Sequence, residues 1–214
     1  MIVEVHPEHV VDNPVSIDDP ALWELAGLFL AFGQCIVIPT DTVYGLAAVA
    51  EDFQAVMQIQ TIKERADEFP PPVLVADPDQ AWRLVSAVSP QALKLARAFW
   101  PGPLTLILPT DRELSLANGT VGLRVPDHDQ LRALLRLSGP LATSSANKHT
   151  KPSPNTVYEA MSQLGNEVGL YIDGGPTPAK GSSTIVDCCD GFTIKREGLI
   201  PRDVIYSTAG VFDG

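Results

Sequence analysis

Apolar residues along this chain recur in two rhythms, one spaced at three to four residues and one of short unbroken runs, and the switches between them mark out its elements. After Asp18-Asp19-Pro20, the positions Leu22, Leu25, Ala26, Phe29 and Leu30 fall on one face of a helix. That spacing predicts an N-capped helix with Pro20 near its first turn and Gly33 as its stop. Residues 35–38 form an apolar run of the kind found in a buried strand. Asp52 opens a second helix on Phe53, Val56, Met57, Ile59 and Ile62, with Lys63 at its C-terminal end, before prolines 70–72 stop all regular structure. Residues 73–76 read as the next strand and 90–100 as a helix closed by Pro101-Gly102-Pro103. Residues 104–108 and 121–125 read as strands flanking a polar loop. Farther on, 127–137 is predicted as a helix, 141–143 as a short strand, and Ser153-Pro154 as the cap and first turn of a helix ending at Gly165. Three short strands follow at 169–172, 184–187 and 192–195.

Helices alternate with strands early and strands crowd late, which predicts an α/β (α+β) fold with a sheet of mixed direction. No repeat, low-complexity tract or linker divides the chain. Residues 1–202 therefore read as one domain, and 203–214 as a short, small and polar tail expected to be poorly ordered. At 214 residues and 45% hydrophobic content, one sizeable core is within reach.

Charge changes the picture. The formal net charge is −11, and the first 62 residues hold nine carboxylates but no lysine or arginine, until Lys63 and Arg65 arrive together. Such an acidic body argues against tight non-specific binding to duplex nucleic acid, whose affinity comes largely from phosphate neutralisation. Nine of the 15 cations (Lys63, Arg65, Arg124, Lys148, Lys151, Lys180, Lys195, Arg196, Arg202) lie in or beside the motifs discussed next. An acidic protein with a basic cleft suits a small anionic substrate. Three cysteines, two of them adjacent at 188 and 189, make no disulfide framework and fit a reducing cytosol. Residues 1–14 lack the pattern of a signal peptide, and the apolar run at 25–33 is too short to span a bilayer, so a cytoplasmic location without membrane contact is expected.

The common nucleotide loops, G-x-x-x-x-G-K-[ST] and G-x-G-x-x-G, are missing, as is the G-x-S-x-G elbow. His6, His9, His128 and His149 do not fall at metal-ligand spacing, and no metal site is expected. What remains are hydroxyls, amides and cations on loops. Pro39-Thr40-Asp41-Thr42-Val43-Tyr44-Gly45-Leu46 follows a strand, where open α/β sheets bind ligands, though a polar turn capping the next element has the same composition. Lys63-Glu64-Arg65 ends a helix, where cations also serve the helix dipole. Ser144-Ser145-Ala146-Asn147-Lys148 gathers two hydroxyls, an amide and a cation, or is a loop bonded to its own backbone; the helix begun at Ser153-Pro154 would turn free N–H groups toward an anion there. Arg124, within Gly122-Leu123-Arg124-Val125-Pro126, sits among apolar neighbours and needs an anionic partner, from protein or ligand.

Taken in order, P-T-D-T-V-Y-G-L, K-E-R, W-P-G-P-L-T, G-L-R-V-P, S-S-A-N, D-G-G-P, S-S-T-I-V-D and Arg196-x-Gly198 resemble the Sua5/YciO/YrdC family over roughly residues 20–202, and most of all its short threonylcarbamoyl-AMP synthases. The resemblance implies a twisted, mixed parallel and antiparallel sheet with flanking helices around a basic cavity. It also implies a nucleotidyltransferase reaction that joins L-threonine, bicarbonate and ATP, with Mg²⁺ accompanying the ATP, into threonylcarbamoyl-AMP and pyrophosphate. That product serves the N6-threonylcarbamoyl modification of adenosine 37 in tRNA through a downstream threonylcarbamoyl transferase, with at most weak contact to tRNA itself. By position, Lys63, Arg65, Ser145 and Asn147 match the catalytic tetrad that holds the nucleotide phosphates. Thr120, Ser153 and Arg196 match further ATP-side positions, and Thr40, Tyr44, Arg124, Thr143 and Ser183 match the threonine side. Ala66 stands where the family usually has proline, and His149-Thr150 where it usually has Ser-Gly. Two other functions fit the same pattern: a non-catalytic module binding tRNA or double-stranded RNA, and an enzyme of different ATP-dependent carbamoyl or adenylyl chemistry.

Overall fold

The computed structural model describes residues 13–64, 70–112, 114, 117–178 and 181–211. In chain order the strands are β1 (Val15–Ser16), β2 (Ile36–Ile38), β3 (Gly45–Val49), β4 (Val73–Leu74), β5 (Leu104–Pro109), β6 (Thr120–Arg124), β7 (Leu141–Ser145), β8 (Leu170–Asp173), β9 (Thr184–Asp187) and β10 (Thr193–Arg196). The helices are α1 (Leu22–Ala31), α2 (Phe53–Ile62), α3 (Pro78–Trp82), α4 (Pro90–Phe99), α5 (Asp129–Ser138), α6 (Val157–Leu164) and α7 (Arg202–Ala209).

All ten strands join one sheet in the order β1-β8-β2-β3-β7-β4-β6-β5-β9-β10. Its direction is mixed: β8 runs parallel to β1 and β2, whereas β3 runs antiparallel to both β2 and β7. This is the mixed sheet expected from the sequence. Side chains alternate between two apolar layers, as the pleat requires. Val37, Leu46, Ala48, Val73 and Leu123 face the larger layer, which is covered by α2, α4, α6 and α7. Ile36, Ile38, Ala47 and Leu74 face the smaller layer, closed by Leu22, Ala26, Phe29 and Leu30 of α1 and Leu131, Leu134 and Leu135 of α5.

Several boundaries differ from expectation. Asp19 does not cap α1 directly: its carboxylate accepts the Ala21 N–H in a turn just before the helix. The cap of α5 is His128, whose Nδ1 accepts the Leu131 N–H. Helix α6 starts at Val157 rather than at Ser153-Pro154, because Thr156 and Glu159 form a reciprocal capping box. Residues 45–49, not predicted as a strand, form β3 in the middle of the sheet. Its small residues Gly45, Ala47 and Ala48 lack the β-branched signature but fit between tightly packed neighbours. The stretch after Arg202, expected to be a poorly ordered tail, forms helix α7. Ile205 and Ala209 are fully buried there, and Lys94 of α4 donates to the Ala209 carbonyl at 3.3 Å. No helix among the described residues is long and apolar enough to cross a membrane.

Candidate functional site

The middle of the sheet opens into a cavity of about 390 Å³, within the range of sites that enclose small ligands. One wall is the loop of residues 39–44 between β2 and β3, and another is the end of β7. The turn before β9 and the β10 residue Arg196 close the far side.

The loop after β2 is braced by a network of its own hydroxyls. Thr40 Oγ1 donates to the Val43 carbonyl at 2.6 Å, accepts the Thr42 N–H at 3.1 Å, and lies 3.0 Å from Thr42 Oγ1. Tyr44 is fully buried, and its hydroxyl donates to the Gly175 carbonyl at 2.6 Å while accepting the Gly174 N–H at 3.1 Å. That hydroxyl therefore fastens the Asp173-Gly174-Gly175 turn to the cavity. Burial pushes its pKa up to about 12, so it stays a neutral donor.

Arg124 reaches this loop from β6. Its Nη2 donates to Asp41 Oδ1 at 2.6 Å, its Nη1 to Thr42 Oγ1 at 3.0 Å, and its Nε to the Gly102 carbonyl at 3.1 Å. The anionic partner that a buried arginine requires is thus supplied by the protein, as a pair with side-chain exposures of 8% and 7%.

On β7, Thr143 lines the cavity, and its N–H donates to the Pro72 carbonyl at 2.8 Å. A Cβ at Gly45 would stand 2.6 Å from Thr143 Cγ2, so only glycine lets β3 lie this near to β7. Beyond β7 the chain bends, and three residues of the expected tetrad meet there. The Lys63 ammonium, at 2% exposure, donates to the carbonyls of Ser145 and Asn147. Asn147 in turn donates from Nδ2 to the carbonyls of Lys148 and Lys151 at 2.9 and 2.8 Å. Ser145 lines the cavity, whereas Lys63 and Asn147 bond to main-chain carbonyls of the loop that carries it. Arg65, the fourth member, lies outside the described residues.

On the far side, Arg196 Nη2 donates to the carbonyl and hydroxyl of Ser183 at 2.9 and 3.2 Å, and Ser183 Oγ lies 2.9 Å from Thr105 Oγ1. Gly198 closes the turn: a Cβ there would stand 2.5 Å from the Ser183 carbonyl carbon.

Thr40, Tyr44, Arg124, Thr143, Ser145, Ser153, Ser183 and Arg196 therefore line one cavity, drawn from six separate stretches of sequence. Thr120 does not; it borders a small apolar niche that shares Pro70 and Pro71 with the main cavity. Lys148, grouped with the anion site on sequence grounds, instead turns outward between Glu167 at 2.6 Å and Glu64 at 3.0 Å. Lys195 pairs with Asp187 at 3.2 Å on the β9–β10 pair, away from the cavity. Of the α6 amides expected to face an anion, that of Glu159 is engaged by the capping box, donating to Thr156 Oγ1 at 3.2 Å, while Glu159 Oε2 accepts the N–H groups of Asn155 and Thr156 at 2.6 and 3.3 Å just before the helix. Thr42, Thr105, Ser144 and Ser182, which the sequence motifs contained but to which sequence reasoning gave no role, also line the cavity. Thr105 carried a usable signal: a hydroxyl inside the apolar run 104–108 is a buried polar group in need of a partner. Among the described residues, no three His, Cys, Asp or Glu side chains converge as a metal site.

This geometry has counterparts. The sequence model described as telomere recombination (Sua5/YciO/YrdC) matches residues 29–198. A Mycobacterium tuberculosis protein is 40% identical over 184 residues, covering 84% of this chain and 85% of its own length. The threonylcarbamoyl-AMP synthase of Bacillus subtilis is 36% identical over 207 residues, covering 94% of this chain. The crystal structure of Pyrococcus abyssi Sua5 complexed with L-threonine superposes with a TM-score of 0.85 at 32% identity over 92% of this chain. The chain spans 60% of the length of each of these last two proteins. A shared sequence pattern across four-fifths of the chain and a shared fold have one common source: the chain belongs to the Sua5/YciO/YrdC family.

Proposed function

We propose that this protein is an L-threonylcarbamoyladenylate synthase, a nucleotidyltransferase acting on L-threonine, bicarbonate and ATP. The observation that carries the reading is the meeting of Lys63, Ser145 and Asn147 beside a cavity lined by Arg124, Arg196 and several fixed hydroxyls. Relatives bearing the name threonylcarbamoyl-AMP synthase, and the L-threonine complex of the Pyrococcus abyssi protein, support it.

The amine of threonine, once deprotonated, adds to the carbon of CO₂ and releases a proton to give a carbamate; from bicarbonate the same addition expels water. A carbamate oxygen then attacks the α-phosphorus of ATP, and the bond to the β-phosphate oxygen breaks to release pyrophosphate. Both reactants are anionic, so the protein's task is to hold like charges together. Arg124 takes the threonine carboxylate, with Thr40, Thr143 and Ser183 shaping that end and Tyr44 fixing the turn behind it. Ser145, Ser153 and Arg196 face the nucleotide, and Lys63 sets the loop that presents Ser145. Mg²⁺ suits phosphate oxygens and water. No carboxylate lines the cavity among the described residues, so the ion would arrive on ATP and supply charge neutralisation there. The product then passes to a threonylcarbamoyl transferase acting on tRNA.

The test is mass detection of threonylcarbamoyl adenylate after incubation with the three substrates, with serine and carbamoyl phosphate run in parallel. Product that requires threonine, bicarbonate and ATP together supports the reading. ATP turnover indifferent to threonine would overturn it.

A further inference from the structure

Resting on that reading, we infer that Asp41 is a positioning residue that reserves the Arg124 end of the cavity for an amino acid and keeps phosphate off it. Asp41 stands between Thr40 and Thr42, both of which line the cavity, while its own carboxylate turns to Arg124 at 2.6 Å. A guanidinium has five N–H groups. Three of those of Arg124 are held by Asp41, Thr42 and Gly102, which leaves two, enough for one carboxylate.

Orientation is one consequence; charge is the other. A free arginine in a pocket attracts any anion, and a pyrophosphate or triphosphate more strongly than a carboxylate because it carries more charge. In this cavity both kinds of ligand are meant to enter together. The Asp41–Arg124 pair is neutral as a unit, with side chains at 7% and 8% exposure, so water screens it weakly. A zwitterionic amino acid suits such a pair, whereas a polyphosphate meets the repulsion of the Asp41 carboxylate. Selectivity then comes from the penalty on the wrong ligand as much as from attraction to the right one. Without Asp41, phosphate groups would compete for Arg124, and the two ends of the cavity would lose their distinction.

The experiment is calorimetric titration of the whole protein with L-threonine, with and without saturating inorganic pyrophosphate, on the wild type, Asp41→Asn and Asp41→Glu. Asp41→Asn keeps the size of the side chain and one acceptor oxygen. In the wild type, pyrophosphate is expected to leave the threonine Kd unchanged. In Asp41→Asn, pyrophosphate is expected to weaken threonine binding by about tenfold or more, with Asp41→Glu falling between. A merely structural role would lower the melting temperature or the active fraction without creating this competition. Should Asp41→Asn fail to fold, Asp41→Ser, which also removes the carboxylate, carries the test in the same direction. Threonine binding equally indifferent to pyrophosphate in all folded variants, or displaced by it already in the wild type, overturns the assignment. If the wild type takes up threonine and forms the adenylate while the variants show no competition, this inference alone falls. If the wild type binds no threonine at all, the proposed function falls and takes the inference with it.

Discussion

The Lys63 ammonium lies 2.8 Å from the main-chain carbonyl oxygen of Asn147, and it donates to the carbonyl of Ser145 as well. A cation that ends α2 is therefore built into the loop after β7, and it shapes that loop before any phosphate arrives.

Replacing Lys63 by alanine should accordingly damage both folding and function. The buried Asn147 carbonyl would lose its ammonium donor, and the Ser145 carbonyl would keep only the Asn147 N–H, a loss of about 2 kcal/mol, measurable as a lower urea midpoint. Pyrophosphate release dependent on threonine and bicarbonate should fall at least about a hundredfold. Asn147→Ala should show the same pattern, since its amide ties the carbonyls of Lys148 and Lys151. Undiminished pyrophosphate release in either variant would remove the pair from the site.

Arg124→Lys should keep a positive charge but lose the fork that meets Asp41, Thr42 and Gly102 at once. The threonine KM is expected to rise by about tenfold or more, equivalent to about 1.4 kcal/mol, with a smaller change for ATP. Arg124→Ala should follow the same ranking. Steady-state kinetics on both substrates decide it, and a larger effect on ATP would transfer Arg124 to the nucleotide.

A double-mutant cycle tests the approach of β3 to β7. Gly45→Ala places a methyl 2.6 Å from Thr143 Cγ2 and should cost about 1–3 kcal/mol by overpacking. Thr143→Ser removes that Cγ2, so it should restore much of the loss. Additive destabilisation in thermal melts would mean that the two residues do not compete for the same space.

Alkaline stability has a definite sign. Burial raises the Tyr44 pKa from 10.0 to about 12 and that of Cys35 from 9.0 to about 12. Both groups bind their protons more tightly when folded. The stability they contribute is complete below the unfolded values and is lost as pH climbs toward the folded ones. Unfolding free energy should therefore decline from about pH 9 to about pH 12, and Tyr44→Phe should shallow that decline. A flat profile across this window would contradict the burial of both groups.

Periodicity alone located most of the fold. Helices α2, α4 and α5 and strands β5, β6 and β9 fall within a few residues of their expected places, because each has a strong apolar rhythm or a side-chain cap such as Asp52 or Ser89. Strand β3 was not legible, since Gly45, Ala47 and Ala48 carry little strand preference and owe their conformation to the neighbours β2 and β7. Helix α7 was hidden for a related reason: two apolar residues, Ile205 and Ala209, suffice to hold it when α4 offers a surface. The cavity-lining residues were legible as motifs, but their partners in the fold were not. Sequence order could not tell that Lys148 turns to Glu64 and Glu167 while Lys63 turns inward, nor that Asp41 would be the partner of Arg124. Most of those contacts join residues more than 80 positions apart in sequence.

The bond from the Tyr44 hydroxyl to Gly175 spans 131 positions. On a ribosome the residues of the first wall emerge long before the turn that they must grip, so a nascent chain holds half a binding site for most of its synthesis. The two walls of the cavity are thus joined late in synthesis, when Gly175 reaches the Tyr44 hydroxyl.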